Sequence, residues 1–453
     1  MGMNFTNLNV NPCKMCMPMG AVTAMYGIQK CMSILHGSQG CSTYIRRHMA
    51  THYNEPVDIA SSSLTEQGTV FGGEKNLLHG LENLIRLYEP EIIGVATSCL
   101  AETIGEDVPA IIRKFYEQHP EYGHVKIFSL ATPGYGGTQF EGYFRALKAL
   151  VSQVEMETAS NHKINVITGP ISPADTRFLK ELFESMNLEY ILLPDLSENL
   201  DGGHSAIYKR LPQAGTSLQE IREMAGAKYT IELSSFLEDA ASPAVYLQEK
   251  YGVPYCRLHL PCGLQATDAL IEKLEELGGK ITEKLLKARS RYLDALIDSH
   301  KYNALGRAAV FGEPDFVRAI VQLCAESGII PVAAITGSVC NGFSEELDSL
   351  LQEAAKVQFA EVAEAQADAD FETLERKIEA TNANLMIGSS DGRRIAARKN
   401  LPLVRCTFPV HDHMGGQRIR MLGYEGSLQL LDQMTNHLID AVEGNFRQEL
   451  YEK

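Results

Sequence analysis

Three cysteines in the first hundred residues carry the chemistry this sequence can support. Cys16, Cys41 and Cys99 each stand in a glycine-flanked or strand-end loop. Residues 11–20 read Asn-Pro-Cys-Lys-Met-Cys-Met-Pro-Met-Gly, residues 36–41 His-Gly-Ser-Gln-Gly-Cys, and residues 96–107 Ala-Thr-Ser-Cys-Leu-Ala-Glu-Thr-Ile-Gly-Glu-Asp. Thiolates are the usual ligands of iron–sulfur clusters, and glycine lets the backbone approach a bulky inorganic core. Zinc sites usually take two ligands from one tight knuckle, whereas these three are 25 and 58 positions apart and come from different loops. The spacing favours a cluster seated on a domain face. Three thiolates are one short of the usual four, so either Cys13 completes the set or a second chain supplies what is missing; we prefer the second chain.

Other chemistry-bearing residues have plainer readings. Cys13 and Cys16 form Cys-x-x-Cys, but a thioredoxin-type pair opens a helix after a strand, and this one lies beside the amino terminus. Cys13 reads as a spectator thiol. Cys31, Cys256, Cys262, Cys324, Cys340 and Cys406 lie in apolar or strand-like surroundings and read as core thiols. His36 either orients the Cys41 loop through a ring hydrogen bond or is a satisfied structural histidine. Arg46, Arg47 and His48 either place positive charge near an anionic cluster, pair with a partner's carboxylates, or form a solvated helix face. The turns at Gly169 and Gly312 lack the Gly-x-Gly-x-x-Gly fingerprint and no Gly-Lys-Ser/Thr occurs, so no nucleotide is expected. His411, Asp412 and His413 are adjacent, which seldom lets side chains converge on one ion, and read as a polar turn.

The elements that must position the three thiols follow a strand, loop, helix plan. Residues 91–97 read as a buried strand, with helical patterns at 76–88 and 108–118, so Cys99 falls just past a strand's carboxyl end, where open α/β sheets place ligand sites. Residues 164–168 and 190–193 read as strands, with Asp175 as the expected cap of the intervening helix. Residues 308–311 and 330–335 repeat the plan through a Gly312-Glu-Pro-Asp315 turn. Residues 270–303 read as long helices, 384–390 and 401–406 as the last strands, and 427–443 as a closing surface helix. The fold class is α/β, with three Rossmann-like, doubly wound parallel-sheet units and right-handed βαβ crossovers. Expected domains are 1–155, binding the cluster, 156–305 with a helical linker, and 306–453.

Bulk properties narrow the function. A chain of 453 residues is long enough for several domains. The formal charge of −16 and the absence of a basic run argue against nucleic acid and anionic membrane surfaces. No apolar run approaches the ~20 residues of a spanning helix, and no secretory signal opens the chain, so a cytoplasmic location is expected. Ten cysteines in such a chain read as thiols and ligands rather than disulfides.

The three loops resemble those of β-type subunits of the nitrogenase component 1 superfamily (NifN/NifK-like). The similarity includes Asn11-Pro12, Pro18-x-Gly20, His36-Gly-Ser-Gln-Gly-Cys41, His52-Tyr-Asn-Glu-Pro56, the stretch 61–73 ending Phe71-Gly-Gly73, and Glu102-Thr-Ile-Gly-Glu-Asp107. A weaker likeness runs on to Phe408-Pro409, Asp412 and Gly423-Tyr424. The resemblance implies the family's fold and assigns Cys16, Cys41 and Cys99 to an iron–sulfur cluster, 4Fe–4S or 8Fe–7S of P-cluster type, shared with a homologous α-type (NifE/NifD-like) chain. His36, Gly40 and Gly134 are the residues expected around those ligands. It also implies an α2β2 heterotetramer, an ATP-dependent iron–sulfur (NifH-like) reductase as electron donor, and a molybdenum/iron cofactor or its precursor in the partner. An oxidoreductase of this kind is active only as a heteromeric complex.

Departures from the family pattern refine this expectation. The cysteine and histidine with which the α-type chain holds its cofactor have no match near residues 250–254 or 408–412. Cys16 comes too early for the long amino-terminal extension of the molybdenum enzyme's β chain, which leaves the short vanadium and iron-only types. Where catalytic β chains place a serine after Thr-Pro, this chain reads Thr132-Pro133-Gly134. That glycine, with Gly415-Gly416-Gln417-Arg418, resembles the β-type half of the scaffold on which the nitrogenase cofactor is assembled (NifN-like), although Cys16 stands where some scaffold chains have serine. The expected function is that scaffold half; the alternatives are the β subunit of a working nitrogenase or nitrogenase-like reductase, and a metal-free structural partner.

Overall fold

The computed structural model describes residues 14–204, 206–358 and 362–451. By contact the chain divides into two compact units, one of Met15–Glu184 with Leu188–Arg257 and one built mainly on Leu258–Lys453.

The first unit opens on α1 (Met17–Tyr26), β1 (Cys31–His36), α2 (Gln39–Tyr53), β2 (Ala60–Ser61), α3 (Glu66–Phe71), α4 (Glu74–Tyr88) and β3 (Ile92–Thr97). It continues through α5 (Cys99–Ile104), α6 (Val108–Gln118), β4 (Lys126–Leu130) and α7 (Gln139–Gln153). The strands pair in parallel in the order β2-β1-β3-β4. Every residue of β1 and β3 is buried, as expected of parallel strands covered on both faces. Leu77, Leu81 and Leu84 of α4 and Ile111, Ile112 and Phe115 of α6 recur at helical spacing and pack with Met32, Ile34, Ile93 and Val95 of the sheet.

Helix α1 is buried at all ten positions and lies against α7 almost backbone to backbone. A Cβ on Gly20 would fall 1.8 Å from the Gln139 carbonyl oxygen, and one on Gly142 would fall 2.0 Å from that of Met17. Only glycine permits that approach.

A second sheet of the same unit has the order β6-β5-β7-β8, from β5 (Ile164–Thr168), β6 (Tyr190–Leu193), β7 (Tyr229–Leu233) and β8 (Tyr255–Leu258). The helix after β5, α8 (Pro173–Ser185), corrects one expectation. Ser172, not Asp175, caps it, its Oγ accepting the Asp175 N–H at 3.0 Å, because Pro173 already occupies the first helical position and draws Asp175 inside.

The other compact unit holds one parallel sheet of order β11-β10-β9-β12-β13. Its strands are β9 (Arg307–Gly312), β10 (Ile330–Thr336), β11 (Ala365–Gln366), β12 (Leu385–Gly388) and β13 (Leu403–Arg405). The helices Leu264–Glu276 and Glu283–Asn303 group with this unit, and Gly423–Tyr451 ends it. The chain is thus α/β with three parallel sheets. Of the six cysteines expected in the core, Cys31, Cys262, Cys324 and Cys406 are buried, whereas Cys256 and Cys340 are partly exposed, Cys256 in the edge strand β8 and Cys340 in the turn after β10. Among the described residues no helix is long and apolar enough to cross a membrane.

Candidate metal centre

The first sheet changes winding direction between β1 and β3, since β2 lies on one side of β1 while β3 and β4 lie on the other. Open α/β sheets form a ligand crevice at the carboxyl ends of the strands flanking such a point. Cys41 follows β1 and Cys99 follows β3, so two of the three thiols border this crevice. The register His36↔Thr97 brings the two strand ends level. The chains then run so close that a Cβ on Gly37 would meet Ser98 Oγ at 2.1 Å, and Ser98 N–H donates to the His36 carbonyl at 3.0 Å.

Cys16 arrives from the other side. It is the N-cap residue of α1, and a β-bridge joins it to Thr138, just before α7. The Gln139 N–H donates to the Met15 carbonyl at 3.0 Å, and the Gly20–Gly142 contact holds the helices that follow. Cys41 and Cys99 are exposed and Cys16 is partly so.

The loop at Gly134 links the set. Its N–H donates to Cys99 Sγ at 3.1 Å, and a Cβ there would lie 3.4 Å from that sulfur and 3.7 Å from Cys16 Cβ. Burial pushes the Cys16 thiol above the usual cysteine range; the Met19 N–H opposes this, and negative charge on Cys41 and on Cys99 adds to it. The structure therefore brings the three sequence-predicted cysteines within electrostatic reach of one another. Among the described residues no three Cys, His, Asp or Glu side chains converge on a point tightly enough to hold one metal ion. The donors are soft sulfurs on three separate segments with Gly134 against two of those residues, a set that suits a multi-atom iron–sulfur core better than a single ion. Cys13 lies outside the described residues.

The neighbours behave differently from one another. His36 is fully buried, with Nδ1 2.9 Å from Ser62 Oγ and Nε2 3.5 Å from Glu106 Oε2. Ser62 Oγ also accepts the Gly37 N–H at 3.0 Å, so the ring is tied to the start of the Cys41 loop through this serine. The 3.5 Å separation from Glu106 is an ion-pair distance too long for a good hydrogen bond, and Nε2 has no other polar partner. Burial lowers the His36 pKa, with the charge of Glu106 opposing. Serine, histidine and carboxylate in line resemble a hydrolase relay, but Ser62 is itself buried, and its Oγ accepts the Gly37 N–H. The only atom near the place a Cβ on Gly40 would take is Ser38 Oγ, 3.9 Å away, so no contact within the chain demands glycine there. Arg46 and Arg47 lie exposed on α2. In the other compact unit, Asp412 is held to about 2 by Arg405 and Ser390 against the opposing effect of burial, which fits a salt-bridged turn at 411–413.

Sequence reasoning missed Ser62, Glu106 and Thr138. Ser62 and Glu106 lie inside stretches quoted above but had no role assigned, and only the meeting of β1, β3 and α7 gives the three a place near the thiols.

Residues 16–439 match the family model described as nitrogenase component 1 type oxidoreductase. The chain is similar to the nitrogenase molybdenum–iron protein β chain of Clostridium pasteurianum, 34% identical over 98% of this chain and 96% of the relative. It is similar also to that of Methanococcus maripaludis, 35% identical over 95% of this chain and 94% of the relative. Among solved structures, a chain of nitrogenase Cp1 at pH 6.5 superposes with a TM-score of 0.92 at 34% identity, covering 98% of this chain and 96% of that one. A chain of nitrogenase Cp1 at pH 5 shares the fold at 13% identity with a TM-score of 0.68. The chain belongs to the nitrogenase component 1 type oxidoreductase family, as a chain of β type.

Proposed function

We propose that this chain is the electron-relaying β-type subunit of a nitrogenase-like complex, and that Cys16, Cys41 and Cys99 are its share of an iron–sulfur cluster, 4Fe–4S or 8Fe–7S, completed by a homologous α-type chain. The observation that carries this reading is that Gly134 lies between Cys99, whose sulfur accepts its amide, and the Cβ of Cys16, while Cys41 acts electrostatically on Cys16 from a third segment. Such a cluster, when bound, supplies one-electron transfer at a potential set by its charge, its burial and the hydrogen bonds to its sulfurs.

The chain's own residues do the rest. The Gly134 N–H donates to the Cys99 sulfur, and hydrogen bonds to ligating sulfur are one of the levers on a cluster's potential. The opening turns of α1 and α2 place positive dipole ends beside Cys16 and Cys41, which would suit an anionic core held between them. Large apolar side chains stand exposed on the same segments, Tyr44 on α2, Val70 and Phe71 on α3, and Tyr135 beside Gly134. Exposed apolar surface around a functional centre is the kind a partner covers. The partners in this reading are the α-type chain of an α2β2 assembly, which carries the molybdenum/iron cofactor or its precursor, and an ATP-dependent iron–sulfur reductase. We place the complex in the cytoplasm, where thiols stay reduced.

The relatives named above favour a working reductase, and since they are molybdenum–iron protein β chains matched over 94% or more of their length, the early position of Cys16 does not exclude the molybdenum type, contrary to the expectation from sequence. Gly134 favours a second reading, the scaffold half for cofactor assembly, because no side chain at that position can add an oxygen ligand. Purified complex with reductase, ATP and acetylene or dinitrogen separates the two: sustained turnover removes the scaffold, and transfer of a cofactor precursor without turnover removes the reductase. Iron and sulfide analysis of the complex and of a Cys41→Ala variant tests both against a metal-free partner, which unchanged iron content in the variant would support.

A further inference from the structure

We propose that Glu106, acting through His36, is a positioning residue for the two cysteine loops that border the crevice, and that its carboxylate lowers the reduction potential of the group they hold. The inference rests on the cluster reading above.

Glu106 follows α5, where Gly105 in the left-handed region (φ +77°) lets the chain double back. Its side chain is only 9% exposed. One oxygen, Oε1, accepts the Gly73 N–H at 2.5 Å, and Gly73 is the N-cap residue of α4. A carboxylate at the start of a 15-residue helix is favourably placed against the helix dipole. The other oxygen faces His36 Nε2. Gly73 closes the remaining side of the ring, since a Cβ there would sit 2.9 Å from His36 Cε1.

The histidine passes this restraint to both loops. Its Nδ1 meets Ser62 Oγ, which accepts the Gly37 N–H, and its own carbonyl accepts the Ser98 N–H. Gly37 begins the turn that leads to Cys41, and Ser98 immediately precedes Cys99. One carboxylate therefore faces, at 3.5 Å, a ring that touches the backbone on which two of the three thiols depend.

Packing alone does not call for a charge here. A neutral amide would accept the Gly73 N–H equally well, and burying a carboxylate beside a histidine whose pKa burial lowers is costly. What the charge can do is act on the crevice above it. A fixed negative charge disfavours adding an electron to a nearby group, so its removal moves the potential upward.

The test uses the complete complex with its α-type partner, analysed for iron and titrated by EPR at poised potentials. Glu106→Gln keeps the shape and the acceptor for Gly73 and removes the charge; it is expected to retain native iron content with an upward shift in midpoint. Glu106→Asp keeps the charge and is expected to stay near the native midpoint. His36→Ala, which cuts the link to Ser62, is expected to lose iron partially and to change the EPR line shape. A Glu106→Gln midpoint equal to the native one, or equal shifts in the Gln and Asp variants, overturns the proposal. A native complex without iron defeats the cluster reading itself, and this inference with it, before any variant is made.

Discussion

The Gly134 amide points at Cys99 Sγ from 3.1 Å, and a Cβ at that glycine would reach ordinary contact distance from the same sulfur, 3.4 Å. There is thus room for one small side chain beside the sulfur. Gly134→Ala should leave iron content and spectra close to native. Gly134→Ser should retain the iron and lower the midpoint of the most oxidised couple, because a hydroxyl near the cluster can add a hard, anionic donor. EPR-monitored titration of both variants checks this.

Cys41 is exposed and makes no packing contribution that its loss would expose. Cys41→Ala should change folding stability by no more than about 0.5 kcal/mol, as is usual for surface substitutions, while sharply reducing bound iron. Thermal unfolding of the isolated chain and iron analysis of the complex measure the two effects separately.

Gly20 and Gly142 predict the reverse pattern. A Cβ on Gly20 would sit 1.8 Å from a backbone oxygen of α7, which no side-chain movement can relieve. Gly20→Ala should destabilise the first unit by about 3 kcal/mol or more, at the upper end of overpacking costs. It should also displace Cys16, four residues earlier, and so reduce iron. Denaturant unfolding together with iron content tests the link.

Buried His36 and half-buried His259 set a direction for acid sensitivity. His36 is lowered by burial, and His259 is lowered to about 4 by burial and by the charge of Arg318, with Glu346 opposing. Unfolded histidine titrates near 6.5, so below that pH the unfolded chain binds more protons than the folded one. Their contribution to stability is therefore complete above about pH 6.5 and is lost as the pH falls from there toward 4. His259→Gln should flatten part of that fall, measured as urea unfolding midpoints between pH 7 and pH 4.5.

Legibility in the sequence followed burial and spacing. The strands β3, β5, β6, β9 and β10 were readable because each is a short apolar run bounded by turn residues. Helix α1 was not, since all ten of its residues are buried and no polar face gives it a period. Strand β1 mixes Cys31, Ser33 and His36 with apolar residues and follows directly on that apolar helix, which hid its start. The strands β2 and β11 are two residues long, too short to leave a pattern. Cys16, Cys41 and Cys99 stood out through their glycines and spacing, whereas Glu106 and Ser62 act through contacts across 70 and 26 positions from His36 and leave no local trace.

The three sulfurs enter from separate junctions of the chain, at positions 16, 41 and 99, and no short peptide contains two of them. Their grouping is consequently a product of the finished sheet rather than of any one loop. A group held by all three is therefore gathered by the folded chain rather than by any one peptide, and its binding displaces the proton of each thiol it engages.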